Sequence, residues 1–160
     1  MVSGARAKMN SNLTKIEFNL NPEDQQEVET ETLWAKEIGP NLFQIENSPF
    51  FIFGISADDV VSAEEDGGIL RFRGAVSRGG HSTYRVFLQD GRTINSSDFM
   101  NYWQPIGFLG ATFENANNSF VSVDIPPGKD VAAIYALLQK GEDDGVWAFE
   151  EAHYGGPPMK

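Results

Sequence analysis

The sequence predicts an α+β fold: a small curled antiparallel sheet, or partial barrel, followed by a ferredoxin-like split βαβ unit of order βαββαβ. Three observations predict it. Residues 32–80 carry short apolar stretches punctuated by Gly, Pro, Asn and Asp at strand spacing. Residues 81–154 then run strand, helix, strand, strand, helix, strand, with the apolar period switching between two and about 3.6. Only Ser77-Arg78-Gly79-Gly80 separates the halves, too short for an independent linker, so the two are expected to share one core. A chain of 160 residues with 41% hydrophobic residues can bury such a core without a staple.

Met1 to Asn12 has Arg6 and Lys8 as its only charges and no apolar period, so residues 1–12 are expected to be a disordered arm, with Met9 an alternative start. Within residues 13–31 a strand at Lys15 to Leu20 leads into an acidic loop, Asn21 to Glu31, holding Pro22, Glu23, Asp24, Glu27, Glu29 and Glu31. Thr32 to Lys36 and Leu42 to Glu46 read as strands about the turn Gly39-Pro40-Asn41. Phe50-Phe51-Ile52-Phe53 is continuously apolar and so, read as a strand, would be buried on both faces. Val60 to Glu64 and Ile69 to Arg73 flank Glu65-Asp66-Gly67-Gly68, a hairpin whose glycines can take positive φ. In Leu70-Arg71-Phe72-Arg73 the apolar side chains point one way and the arginines the other.

In the second half, His81 to Leu88 is a strand with Tyr84, Val86 and Leu88 on one face. Ser96 or Ser97 offers an N-cap for a helix with the stripe Phe99, Tyr102, Trp103 and Ile106, which Pro105 is expected to end early. Gly110 to Glu114 and Phe120 to Ile125 alternate as strands around an Asn-rich turn, and Pro126-Pro127-Gly128 stops the second. The next helix carries the stripe Val131, Ile134, Tyr135 and Leu138, with Gly141 read as its C′ residue. Val146 to Glu151 closes the sheet, with Trp147 and Phe149 on one face, and residues 155–160 form a tail.

The chemistry-bearing residues are sparse. Zero cysteines exclude a disulfide, a thiol nucleophile and cysteine-ligated zinc. Of the two histidines, His81 neighbours Ser82, yet adjacent strand residues face opposite ways, which makes Ser82 a poor nucleophile for it. His153 sits in the terminal stretch and is expected to be exposed. Neither a phosphate loop nor a Rossmann fingerprint is present, the spacing of a calcium loop is missing, and no cofactor or metal is expected. Arg71, Arg73 and Arg78 are too few for nucleic-acid binding in an acidic chain and are expected to pair with nearby carboxylates. The longest apolar run, Phe50 to Ile55, is too short to span a bilayer and no signal segment opens the chain, so a cytoplasmic location is expected.

Six stretches in order resemble a known family: Leu33-Trp34-Ala35; Asn47-Ser48-Pro49-Phe50-Phe51; Asp59-Val60-Val61 with Ala63-Glu64; Gly80-His81-Ser82-Thr83 with Arg85; Val123-Asp124-Ile125-Pro126-Pro127; and Gly141-Glu142 leading to Gly145-Val146-Trp147 and Glu150-Glu151. Over roughly Thr32 to Tyr154 the chain is similar to the bacterial family known only as domain of unknown function number 4265. The resemblance implies one continuous bacterial domain and brings no activity, cofactor or catalytic residue with it.

Function is therefore read from charge. The net charge of −11 disfavours nucleic acid and anionic lipid and favours a basic protein partner. The expectation is a non-enzymatic protein-binding domain, most concretely an immunity-type inhibitor of a cationic toxin or effector, by analogy with small acidic domains of that kind. Its binding groups would be Asp58 and Asp59 with Glu64, Glu65 and Asp66, brought by the hairpin onto one rim. The alternative is a small-molecule-binding or hydrolytic domain using a cleft between the halves lined by His81, Arg85 and Trp103.

Overall fold

The computed structural model describes residues 13–20 and 29–158. The expected arm, residues 21–28 of the acidic loop and the last two residues of the tail lie outside them. Strands β1 (Leu13–Asn19), β2 (Thr30–Gly39), β3 (Leu42–Ile45), β4 (Val60–Asp66) and β5 (Ile69–Ser77) close into a barrel in that order. Successive pairs are antiparallel, and closure is made by a short parallel ladder, Ile16 with Leu70 and Glu17 with Arg71. The interior is the alternating set Ile16, Phe18, Leu33, Ala35, Phe43, Ile45, Val61 and Ala63. Gly67 and Gly68, with φ of +65° and +85°, turn the β4–β5 hairpin as expected.

The second half is the expected α+β unit: β6 (Ser82–Leu88), α1 (Ser97–Phe108), β7 (Thr112–Asn115), β8 (Phe120–Ile125), α2 (Val131–Asp143) and β9 (Trp147–His153). Its antiparallel sheet has the order β7-β8-β6-β9. Tyr84, Val86, Val121, Val123, Ile125 and Trp147 pack on one side against Phe99, Trp103 and Ile106 of α1 and Ile134 and Leu138 of α2. The buried apolar residues thus form two clusters, one in the barrel and one under the helices, where one shared core was expected.

Four local expectations are corrected. Phe50 to Phe53 is no strand, and Phe53 is exposed, because side chains rather than a neighbouring strand satisfy its backbone. Pro105 does not end α1: it lies on the wet face, as does Asn101, whose carbonyl the missing N–H would have reached and which water can serve instead. Ser96 stands at the N-cap, but its hydroxyl accepts from Thr93 N–H rather than capping α1. Gly141 is inside α2, and Gly145, with φ +77°, follows the helix end. Among the described residues no helix is long and apolar enough to cross a membrane.

Gly141 is small because Trp147 lies against α2, its indole N–H donating to Leu138 O at 2.8 Å. A Cβ at 141 would lie 2.3 Å from the indole Cε2. Helix propensity alone favours alanine over glycine by about 1 kcal/mol. The clash reverses the sign: Gly141→Ala is expected to destabilise by about 1–3 kcal/mol in denaturant unfolding, the usual cost of overpacking. A gain in stability would show that Trp147 can move aside.

Candidate functional site

The pleat of the sheet turns Thr83 and Arg85 of β6, Ser122 and Asp124 of β8 and Glu150 of β9 away from the helices. Across this face runs the segment 46–59 that links β3 to β4, and the join is polar. Arg85 is fully buried: it donates to Phe51 O at 2.9 Å and to Ile52 O, stands 3.7 Å from Glu150 Oε2 and stacks 4.7 Å from the centre of the Phe53 ring. The same stretch is gripped by Glu31, whose carboxylate accepts from Phe50, Phe51 and Ile52 N–H at 2.7, 3.0 and 2.8 Å. Glu31 shares the inward phase of β2 with Leu33 and Ala35, so it is a buried anchor and not part of the acidic loop where its charge had placed it. Ser122 donates to Pro49 O at 2.7 Å and accepts from Ser48 Oγ at 2.9 Å, while the Ser56 and Thr83 hydroxyls meet at 2.6 Å.

At the end of this join lies a titratable cluster. His81, at the mouth of β6, places Nε2 2.9 Å from Asp58 Oδ2 and Nδ1 2.9 Å from Asp124 Oδ1. Only the protonated ring can donate to both. Asp58 is in the left-handed region, φ +68°, and packs so closely on Gly79 that a Cβ there would meet the Asp58 Cβ at 2.6 Å. Next to it Asp59 is fully buried, accepting from Ser56 N–H, Gly79 N–H and Arg78 at 2.9, 3.0 and 2.9 Å. His153, expected to be exposed, is half-buried on β9, and its Nε2 has no hydrogen-bond partner among the described residues.

The residues singled out for binding are not brought together. Asp58 and Asp59 precede β4 and Glu65 is near its end, about 20 Å away at 3.3 Å per residue, so one rim cannot hold them. Asp59 is moreover sealed inside the join. The alternative trio separates too: Arg85 faces segment 46–59, Trp103 is on the helix side of the same sheet, and His81 is at the strand's end. Ser82 accepts from Gly155 N–H at 2.9 Å, which docks the start of the tail. Among the described residues no group of three or more His, Asp and Glu is arranged to hold a metal ion. Asp124 and Glu31 stand in the sequence only as part of a family stretch and of an acidic run, and strand alternation is what places both at the join.

The sequence matches, over residues 31–149, the family described as Domain of unknown function (DUF4265). The chain also superposes on a novel crystal structure of a hypothetical protein from Neisseria gonorrhoeae with a TM-score of 0.73 at 19% identity, over 89% of this chain and 95% of that one, which shows the shared fold. No curated protein matches.

Two predictions follow from the join. Glu31→Ala leaves three backbone N–H groups without their acceptor and is expected to cost about 3 kcal/mol or more in denaturant unfolding; a change below about 0.5 kcal/mol, the range of surface substitutions, would show that segment 50–52 is held otherwise. The histidines are expected to titrate in opposite directions. Burial lowers the His81 pKa, but the hydrogen bonds and charges of Asp124 and Asp58 outweigh it and raise the value above 6.5. Burial, only partly offset by Asp59, lowers that of His153. The stabilisation from His81 is therefore fully present below the unfolded value of 6.5 and lost as pH rises through its higher folded pKa. That from neutral His153 is present above 6.5 and lost as pH falls through its lower one. NMR titration of the two imidazoles should place their midpoints on either side of 6.5, with Asp58→Asn moving His81 downward. An unmoved His81 midpoint would remove Asp58 from the cluster.

Proposed function

The chain belongs to the DUF4265 family, whose description assigns no activity, and from that premise we propose a non-enzymatic protein-binding domain that takes a basic partner, in its most concrete form an immunity-type inhibitor of a cationic toxin or effector. One observation carries the reading. At the β4–β5 hairpin Glu64, Glu65 and Asp66 are all exposed, and their side chains outnumber the cations available to them: Arg73 pairs with Glu64 and Arg71 with Asp66, while Glu65 has no ion pair among the described residues. The net charge of −11 gives such a surface long-range attraction for a basic protein. Asp58 and Asp59 leave the binding set, since one is tied to His81 and the other buried. The competing reading, a ligand cleft, loses support from the separation of Arg85 and Trp103 by the sheet itself.

The test is the triple variant Glu64→Lys, Glu65→Lys, Asp66→Lys against the partner that co-purifies from the native cell. Its association by surface plasmon resonance should be slowed by salt in the parent, over a screening length of roughly 8 Å at physiological ionic strength. The variant, still folded by circular dichroism, should bind about tenfold more weakly, or about 1.4 kcal/mol. If the partner is a toxin, protection from it should fall in step. Unchanged affinity at low and high salt would show that the acidity serves solubility and that the partner is read elsewhere.

A further inference from the structure

Beside that hairpin the barrel has an incomplete seam. β1 and β5 pair only through Ile16–Leu70 and Glu17–Arg71, so the ladder does not extend to Leu13–Lys15 and Ile69. A groove of about 600 Å³ opens there, walled by Lys15, Glu17, Trp34, Glu65, Ile69 and Leu70. Trp34 is 41% exposed, whereas Trp103 and Trp147 are 7% and 1% exposed, and Ile69 is 40% exposed beside it. The ammonium of Lys15 already sits over the Trp34 ring, 5.0 Å from its centre. That internal contact shows the chemistry the ring face accepts, a cation, and Glu65, which has no ion pair among the described residues, lines the same groove.

Resting on the protein-binding reading above, we propose that this groove is where the partner docks, and that it takes an arginine side chain on an extended basic segment, with the guanidinium stacking on Trp34 in place of Lys15 and pairing with Glu65. Arginine fits better than lysine because its planar, weakly hydrated guanidinium can stack and form a two-pronged bond to a carboxylate at once, while a second ammonium would only replace the one already present. Ile69 and Leu70 provide the apolar wall for the neighbouring part of the segment. An exposed tryptophan flanked by such groups has the composition of an interface anchor.

The probe is a hexaarginine peptide, with hexalysine as comparator, titrated into the full 15N-labelled chain. Amide shifts should centre on Lys15, Trp34 and Gly68–Leu70, and hexaarginine should bind more tightly than hexalysine. Trp34→Ala and Glu65→Gln should each weaken hexaarginine by about tenfold, the loss expected of an anchor residue. Lys15→Ala should strengthen it, and by more than Lys129→Ala, which removes the same charge away from the groove. Shifts centred elsewhere, for example on Glu142–Asp144, would overturn the groove and leave the protein-binding reading standing. Absence of any binding by either peptide, together with a native partner insensitive to salt, would overturn both. Residues 1–12, whose only charges are Arg6 and Lys8, join the chain at the groove wall Leu13. Should deleting them produce the groove shifts without peptide, the groove serves this chain's own end and the partner assignment falls.

Discussion

The structure depends on a short stretch of backbone held from both sides by buried charges. Between Phe50 and Ile52 the N–H groups go to the Glu31 carboxylate and two carbonyls go to the Arg85 guanidinium. A strand would have met both needs with neighbouring backbone. Here one side chain comes from the barrel and the other from the sheet, so satisfying three residues also fixes how the two halves meet. Burying these charges costs several kcal/mol each, and the interaction is sustained because each is hydrogen-bonded at short range, with Glu150 and the Phe53 ring close to Arg85. Such a join specifies geometry more than it adds stability. An apolar contact could slide, whereas a carboxylate aimed at three successive N–H groups has one register.

Around this grip the remaining polar contacts fall into place along the helix-free face of the sheet. Ser122 reads Pro49, Thr83 meets Ser56, and Gly54 N–H reaches Ala152 O at 2.9 Å. The cluster of Asp58, His81 and Asp124 closes the far end. Its imidazole bridges a carboxylate from the loop before β4 and one from β8, so the charge state of a single ring bears on how firmly the halves are joined. Burial raises the pKa of Asp124 despite the pull of His81, which is the cost of placing a carboxylate there and the reason it needs a cationic neighbour.

How much of this was legible follows from period and chemistry. The α+β order, the hairpin at Gly67-Gly68 and the helix stripes through Phe99–Ile106 and Ile134–Leu138 were readable because side chains on those elements face one large neighbour and the apolar period survives. Phe50–Phe53 misled for the converse reason: an apolar run signals burial without saying what serves the backbone. Charge likewise misled at Glu31 and Asp59, since a carboxylate in a local acidic run looks solvated until its strand phase or its turn partners are known. Gly141 could not be read as a packing residue, because Trp147, which excludes its side chain, is contributed by the next strand. The candidate site was the least legible, as it is assembled from loops and strand ends far apart in the chain: His81, Arg85, Asp58 and Asp59 each stood out in the sequence, but in groupings the fold does not make.

The carboxylates of β4 and its approach therefore divide into two populations that the sequence shows as one. Asp58 and Asp59, before the strand, are consumed by His81, Arg78 and backbone N–H groups. Glu64, Glu65 and Asp66, at its other end, face water, and the arginines of β5 neutralise only part of their charge. The strand between them is paired on both sides, to β3 and to β5, and at about 20 Å from end to end it keeps the two groups beyond the range at which neighbouring residues usually couple. An acidic surface can then vary at the hairpin without loosening the join. Substitutions at Asp58 or Asp59, by contrast, act on how the barrel meets the sheet, through the contacts of these two carboxylates with His81, Arg78 and Gly79.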